Sequence, residues 1–326
     1  MKLKLSILTV IGILILFLGI LASINIGAKN IPPNEIYNAI FFYDGSLNAQ
    51  LILNVRIPRV LCAALTGGML ALSGAMIQGI MRNPIADPSI MGITQGAALA
   101  ISLSSIFPIF GGIYSNFFMA LIGASISGIL IFLFAINTSN QNISKVLLAS
   151  TAISTLFLSL ASMIALLKNK SQELAFWIAG TFNQSGWIQV LFLIVIGGIF
   201  CIASFFMCKN LNLLNLGDES ATGLGISPSK IKLKTIIFLI PICAVCVATA
   251  GNISFVGLFV PHIIRKIIGN NYKNIVPLSF LYGSILLTFA DILSRTILAP
   301  YELPIGLFTT LIGVPIFLLL VRKENN

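Results

Sequence analysis

Long apolar stretches alternate with short polar breaks along almost the whole chain. The apolar stretches are about 20 residues long, which is the length that an α-helix needs to cross roughly 30 Å of lipid hydrocarbon. The breaks contain proline, glycine, asparagine or charged residues, which interrupt helices. The pattern therefore predicts an all-α, polytopic transmembrane helical bundle in which residues 1–326 form a single domain. Its ten predicted spans are residues 5–27, 59–80, 90–107, 117–136, 146–167, 189–208, 233–250, 253–268, 276–297 and 306–321.

Composition and charge agree with a membrane protein. The 326 residues are 57% hydrophobic and only 9% charged, whereas soluble domains carry about 25% charged residues. The net charge of +10 comes from single bases between apolar runs, so membrane topology explains it better than nucleic-acid binding. With both termini in the cytoplasm, 13 of the 19 Lys and Arg residues lie on the inner side, as the positive-inside rule expects. The first apolar run is too long for a typical signal peptide, so we interpret it as a retained helix.

The sequence lacks the residues that most enzymes and ion-driven transporters use. No G-x-x-x-x-G-K-[ST] motif is present, so no P-loop site for ATP is predicted. Asp291 is the only carboxylate inside a predicted span, close to its outer end, whereas secondary transporters usually place ionisable residues deep in the bilayer. The single histidine, His262, and the five cysteines in apolar runs predict no metal site. The chain is therefore predicted to be no enzyme, with any energy source on a partner.

Two arginines precede the second predicted span, in "NVRIPRV" (residues 54–60). Arg56 and Arg59 are three positions apart, which places both side chains on nearly the same face of a helix. The predicted topology puts them on the outer side, where membrane proteins usually carry fewer basic residues. One interpretation is that they anchor the helix to lipid headgroups.

Several longer motifs indicate a family. They are "RIPR", "SGAMIQGIMRNPIADPSIMGITQGA", "GNISFVGLFVPHIIRKIIG", "ADILSR" and "ELPIGLFTTLIGVPIFLLLVRK". With these motifs in order, nearly the whole chain resembles the FecCD family, the membrane subunits of ABC importers for ferric siderophores, haem and cobalamin. The resemblance implies the type II ABC importer permease fold, with about ten transmembrane helices in the bacterial cytoplasmic (inner) membrane.

The resemblance also implies partners and a cargo. A second permease subunit completes a homodimer or heterodimer, two cytoplasmic ATPase subunits bind ATP and Mg, and an extracytoplasmic binding protein delivers the substrate. This chain itself is expected to bind no cofactor. A ferric siderophore is the favoured cargo, and haem, cobalamin or an oxyanion such as molybdate are alternatives. A secondary transporter or channel of the same topology is the alternative from another class.

Two sets of residues are implied to contact these partners. By resemblance, Arg56, Arg59 and Arg295 meet carboxylates of the binding protein, although the i,i+4 spacing of Asp291 and Arg295 also favours an internal ion pair. Residues 212–227 correspond to the family's coupling helix, which docks into an ATPase cleft; the alternative is an ordinary interfacial loop. The implied coupling residues are Leu216, Gly217, Asp218, Glu219, Ala221, Leu224 and Gly225.

A third set concerns the translocation pathway and its gates. Spacings of four, four and three put Thr151, Thr155, Ser159 and Ser162 on one face of the fifth predicted span. By resemblance this face lines the pathway, although such hydroxyls often bond carbonyls of their own helix. "WIAGTF" resembles the family's gating helix, and the tryptophan also suits an aromatic belt. The implied gate residues are Trp177 and Gly180 on the outer side, and Asn83, Ile85 and Ser144 on the cytoplasmic side.

Overall fold

A computed structural model of the protein describes residues 2–27, 31–84, 86–88, 92–106, 113–136 and 143–324. These residues form helices joined by short turns. Two π-helical turns, Ile52–Arg56 and Leu193–Gly197, join α3 to α4 and α9 to α10. The α-helices are α1 (Lys2–Asn25), α2 (Pro33–Phe41), α3 (Leu47–Leu51), α4 (Ile57–Met81), α5 (Ile93–Ser104), α6 (Ile113–Ile136), α7 (Ile143–Leu167), α8 (Ser171–Ala179), α9 (Trp187–Phe192), α10 (Gly198–Leu214), α11 (Asp218–Gly223), α12 (Pro228–Ala250), α13 (Val256–Ile268), α14 (Tyr272–Thr296) and α15 (Ile305–Glu324).

The predicted all-α transmembrane bundle is confirmed. Each predicted span overlaps an observed helix, namely α1, α4, α5, α6, α7, the continuous α9–α10 pair, α12, α13, α14 and α15. Within the described residues, six helices are by themselves long and apolar enough to cross a membrane. The helices differ from the predicted spans mainly at their ends. The span predicted to begin at residue 59 lies in a continuous helical run, Leu47–Met81, and α10 continues six residues past the predicted end at 208. It continues because Leu211 and Leu214 are buried against the rest of the bundle.

Helix α4 lies at the centre of the fold, with 21 of its 25 residues buried. Small residues allow its neighbours to approach closely. A Cβ atom on Gly67 would lie 2.2 Å from the carbonyl oxygen of Gly283 in α14, and one on Gly74 would lie 1.9 Å from that of Gly257 in α13. Larger side chains at these positions would therefore push whole helices apart.

The seventh and eighth predicted spans are separated by a sharp break. Helix α12 ends at Ala250, and α13 begins only after Phe255, which has a left-handed backbone conformation. Helix α13 has 13 residues, about 20 Å of helix, so it is shorter than the hydrocarbon core. The end of α8 covers the gap: the backbone N–H of Asn252 donates to the carbonyl of Trp177, and that of Thr181 to the carbonyl of Ala250.

Candidate functional site

Charged side chains are concentrated where α1 and α14 end and α4 begins. We call this group, which consists of Arg56, Arg59, Asp291, Arg295 and Glu302, the arginine cluster. Each arginine is at most 6% exposed and Asp291 is fully buried, whereas the side chain of Glu302 is 32% exposed. A buried charge is stable only when other charges or hydrogen bonds compensate for its lost hydration. The partners of each charge therefore define what the cluster does.

Arg59 binds two carboxylates at once. Its Nε donates to Oδ1 of Asp291 at 2.9 Å, and its two terminal nitrogens donate to the two oxygens of Glu302 at 2.8 and 3.0 Å. This paired geometry matches the planar fork of a guanidinium to the planar carboxylate. Arg59 thereby joins the start of α4 to the last turns of α14 and to the turn that precedes α15.

Arg295 and Arg56 attach the same region to α1. Arg295 Nη2 lies 3.0 Å from Oδ2 of Asp291, the i,i+4 ion pair that the spacing favoured, and donates to the hydroxyl of Ser23 at 2.7 Å. Arg56 donates to the carbonyl oxygens of Ile24 and Asn25, at 2.6 and 3.0 Å. These carbonyls end α1, and the C-terminal end of a helix attracts cations. All three arginines thus also hold helices together.

The sequence pattern indicates the arginines but not all of their partners. The pair of Asp291 with Arg295 is indicated because the two lie one turn apart. No pattern indicates a role for Glu302 or Ser23. Glu302 is 243 residues away from Arg59 along the chain, and nothing in the local pattern of either segment indicates that they meet.

The predicted gating helix, α8, packs against the same end of the bundle. Gly180 follows it with a φ of +76°, and a Cβ atom there would lie 2.4 Å from the carbonyl oxygen of Asn252. The carbonyl of Gly180 accepts a hydrogen bond from the N–H of Ile305, three residues after Glu302. Beside α8 is a cavity of about 260 Å³, lined by Gln172, Trp177, Thr181, Gln184, Thr249, Ala250 and Gly251. Trp177 and Gly180 therefore lie in a segment that joins this cavity to the arginine cluster.

The predicted hydroxyl face of α7 is present. Thr151, Thr155 and Ser159 are exposed on the isolated chain, and Ser162 is half-buried. Thr151 donates to the carbonyl of Leu148 and Thr155 to that of Thr151, at 2.9 and 2.8 Å. Both hydroxyl protons are thus used within the helix, as the alternative interpretation expected.

The opposite end of the bundle holds the predicted coupling segment. Gly217, with a φ of +116°, precedes the six-residue helix α11, and Asp218 and Glu219 occupy its first turn as expected of acidic residues. Ala221 is fully buried, so it does not share a surface with the exposed apolar residues. The exposed apolar side chains of this segment are those of Leu216 and Leu224. Gly225, the residue after Leu224, has a φ of +77°.

Arg82 and Lys232 converge on Asp218. Arg82, at the C-terminal end of α4, contacts Oδ1 of Asp218 at 2.5 Å, and Nζ of Lys232, in α12, lies 3.1 Å from Oδ2. The sequence pattern indicates no role beyond topology for either base. Asn83, the predicted gate residue next to Arg82, is half-buried, and its carbonyl accepts from the N–H of Ala86. Ile85 and the side chain of Ser144 are outside the described part of the structure.

Comparisons with known proteins identify the family. The model of the FecCD transport family matches residues 14–323. The iron(3+)-hydroxamate import system permease protein FhuB of Bacillus subtilis (strain 168) is 38% identical, over 97% of this chain and 83% of its own length. The hemin transport system permease protein HmuU of Yersinia pestis is 35% identical, over 97% of this chain and 96% of its own length.

Solved structures give the same result. An ABC transporter described as of metal-chelate type, in an inward-facing conformation, superposes with a TM-score of 0.83 at 30% identity. The match covers 99% of this chain and 100% of the other. Sequence and fold thus agree over essentially the whole length, and the chain belongs to the FecCD transport family.

Proposed function

We propose that this chain is the permease subunit of an ABC importer that moves a ferric siderophore into the cytoplasm. The observation that carries the proposal is membership of the FecCD transport family over residues 14–323. Two further relatives favour an iron chelate as cargo, since they are named as Fe(3+)-citrate and Fe(3+) dicitrate permeases. Haem is the second candidate cargo, supported by the hemin permease relative.

ATP hydrolysis takes place on partner subunits in this proposal. The sequence contains no P-loop motif, so ATP and Mg bind to two cytoplasmic ATPase subunits and this chain binds no cofactor. A second permease subunit pairs with it in the bacterial cytoplasmic membrane. Both termini and α11 are cytoplasmic, and the arginine cluster faces outward, in the orientation that the distribution of Lys and Arg favours.

Docking of the binding protein uses the arginine cluster. Arg56, Arg59 and Arg295 are almost completely buried in the isolated chain, so a partner carboxylate reaches them through the partly exposed position of Glu302. Exchange of one carboxylate for another at Arg59 keeps the buried guanidinium paired throughout, which avoids the cost of leaving it without a counter-charge. In docking, a carboxylate of the binding protein thus replaces that of Glu302 at the surface of the cluster.

The coupling and pathway residues complete the proposal. Leu216 and Leu224 are exposed apolar residues on either side of α11, and they supply the contacts to the ATPase cleft. The exposed residues of the hydroxyl face of α7 and the cavity beside Trp177 line the route of the chelate. Polar contacts of this kind are weak enough to release a bulky solute, which passes through chemically unchanged.

Reconstitution tests the function. The complex of permease, ATPases and binding protein is placed in liposomes, and uptake of ferric hydroxamate, haem and cobalamin is measured with ATP inside and outside. We expect uptake of the ferric hydroxamate only with ATP on the ATPase side. Uptake of haem or cobalamin alone would refute the ferric-siderophore cargo, and uptake without ATPase subunits would indicate a secondary transporter.

A further inference from the structure

Helix α4 connects the two charged ends of the bundle as one rigid element. Its 25 residues span about 37 Å, with Arg59 in the first turn and Arg82 directly after the last residue. The close approach at Gly74 and a buried side chain, Gln78, fix α4 to α13 along this length. Gln78 donates to the carbonyls of Gly257 and Leu258, at 3.1 and 3.0 Å, and accepts from Arg265 at 3.0 Å. A displacement of one end of α4 is therefore transmitted to the other.

Arg82 is held in an unusual conformation at the end of α4. Its φ of 50° and ψ of 33° are left-handed, a region that residues other than glycine rarely occupy. In this conformation Nη2 contacts the carbonyl of Leu214 and the carboxylate of Asp218, both at 2.5 Å. One side chain thereby joins the end of α4 to the end of α10 and to the first residue of α11.

Lys232 provides the second connection to the same carboxylate. It lies near the start of α12 and bonds the other oxygen of Asp218 at 3.1 Å. The carboxylate is thus held between a base from α4 and a base from α12. Helix α12 ends at the cavity beside α8, so both helices that hold α11 lead to the predicted docking and gating region.

We propose that Arg82 and Lys232 are positioning residues that transmit movement of α11 to α4 and α12. The inference rests on the proposed function, because it assigns to these bases the mechanical link between the ATPase contact and the transmembrane helices. We expect both bases to contribute little to the stability of the fold. The side chains of Arg82 and Asp218 are 37% and 28% exposed, and ion pairs at such positions add little to stability. Arg82 and Lys232 act on the orientation of α11 relative to α4 and α12.

The test measures chelate transported per ATP hydrolysed by the complete complex in liposomes. The variants are Arg82→Gln, Lys232→Gln and the double variant. We expect the ratio to decrease by a factor of about 2 to 30, the range in which residues along a coupling path act. A misfolded fraction of complexes loses transport and hydrolysis together and leaves the ratio unchanged, so the ratio separates a coupling role from a structural one.

Two further variants serve as controls. Arg82→Lys keeps the positive charge and should recover most of the ratio. Lys234→Gln removes an exposed base two residues from Lys232 on the same helix and should leave the ratio unchanged. A ratio equal to wild type in Arg82→Gln and Lys232→Gln would overturn the inference, and so would an equal loss in Lys234→Gln.

The outcome also distinguishes this inference from the proposed function. The ratio is measured with whichever chelate the wild-type complex imports. A complex that imports only haem therefore refutes the ferric-siderophore cargo, but the ratio of each variant can still be compared with that of the wild type. A wild-type complex without ATP-dependent import of any tested chelate overturns both proposals. Normal wild-type import with unaffected variants overturns only the role of Arg82 and Lys232.

Discussion

The two ends of α4 both carry arginines, but in opposite environments. At the start of the helix, Arg59 is 6% exposed and is held by two carboxylates. At its end, the side chain of Arg82 is 37% exposed and shares its carboxylate with Lys232. Buried pairs are costly to break, whereas exposed pairs contribute about 0–1 kcal/mol. The first arginine therefore acts on the stability of the fold and the second on the orientation of a surface helix.

The largest effect is expected from Asp291→Asn. This change keeps the shape of the side chain but removes the carboxylate that faces both Arg59 and Arg295. Since breaking a buried pair leaves an uncompensated charge, we expect a loss of about 3–5 kcal/mol in the free energy of unfolding. Thermal unfolding of the detergent-solubilised protein measures it. A loss no greater than that of Glu302→Gln, at the exposed edge of the same cluster, would show that burial does not set the strength of these pairs.

A smaller loss is expected between the two ends, from Gly74→Ala. The added methyl group would meet the backbone of Gly257 at 1.9 Å, and because neither backbone is free to rotate away, α4 and α13 must separate. Overpacking of this kind costs about 1–3 kcal/mol, measured by the same unfolding experiment. Gly198→Ala is the matched control, because a Cβ atom there meets nothing within 4 Å. Equal effects of the two changes would mean that α4 is not tightly fixed in the bundle.

Much of the fold was predictable because the bilayer imposes a simple pattern. A span needs about 20 apolar residues, and each apolar run of that length overlaps an observed helix. The ends of helices were harder to place, since they depend on tertiary contacts. Residues 209–214 continue α10 because Leu211 and Leu214 are buried, and α13 starts late because the end of α8 bonds to the break at Asn252.

The charged sites were only half predictable. Arg56 and Arg59 were conspicuous, since bases are uncommon on the outer side. Asp291 and Arg295 were recognisable as a pair because they are one helical turn apart. Arg82 and Lys232 gave no such signal, because bases are expected on the cytoplasmic side. Their meeting with Asp218, 136 residues after Arg82, depends on how α4, α10 and α12 pack.

Glu302→Gln changes the exposed edge of the buried cluster. The change removes the internal carboxylate that occupies the fork of Arg59. If a partner carboxylate must exchange with Glu302, more of the protein is ready to bind after the change, and the Kd of the binding protein should fall by about 3-fold or more. Fluorescence titration of the complex in nanodiscs measures this Kd.

Glu35→Gln is the control, since Glu35 is paired with Asn48 and has no contact with the arginine cluster in the described structure. Weaker binding after Glu302→Gln would show that Glu302 supports docking and does not compete with it.

The smallest effect on stability is expected from Arg82→Gln. Because the pair with Asp218 is partly exposed, its loss should lower the free energy of unfolding by less than about 1 kcal/mol. Added salt should remove most of that difference, since exposed charges are screened over about 10 Å at 0.1 M salt. Arg59→Gln should show the opposite behaviour, with a loss of several kcal/mol that salt hardly changes, because ions do not reach a buried pair. Unfolding of both variants at low and high salt therefore separates the two ends of one helix. Equal salt dependence at Arg59 and Arg82 would contradict the assignment of one arginine to the fold and the other to orienting α11.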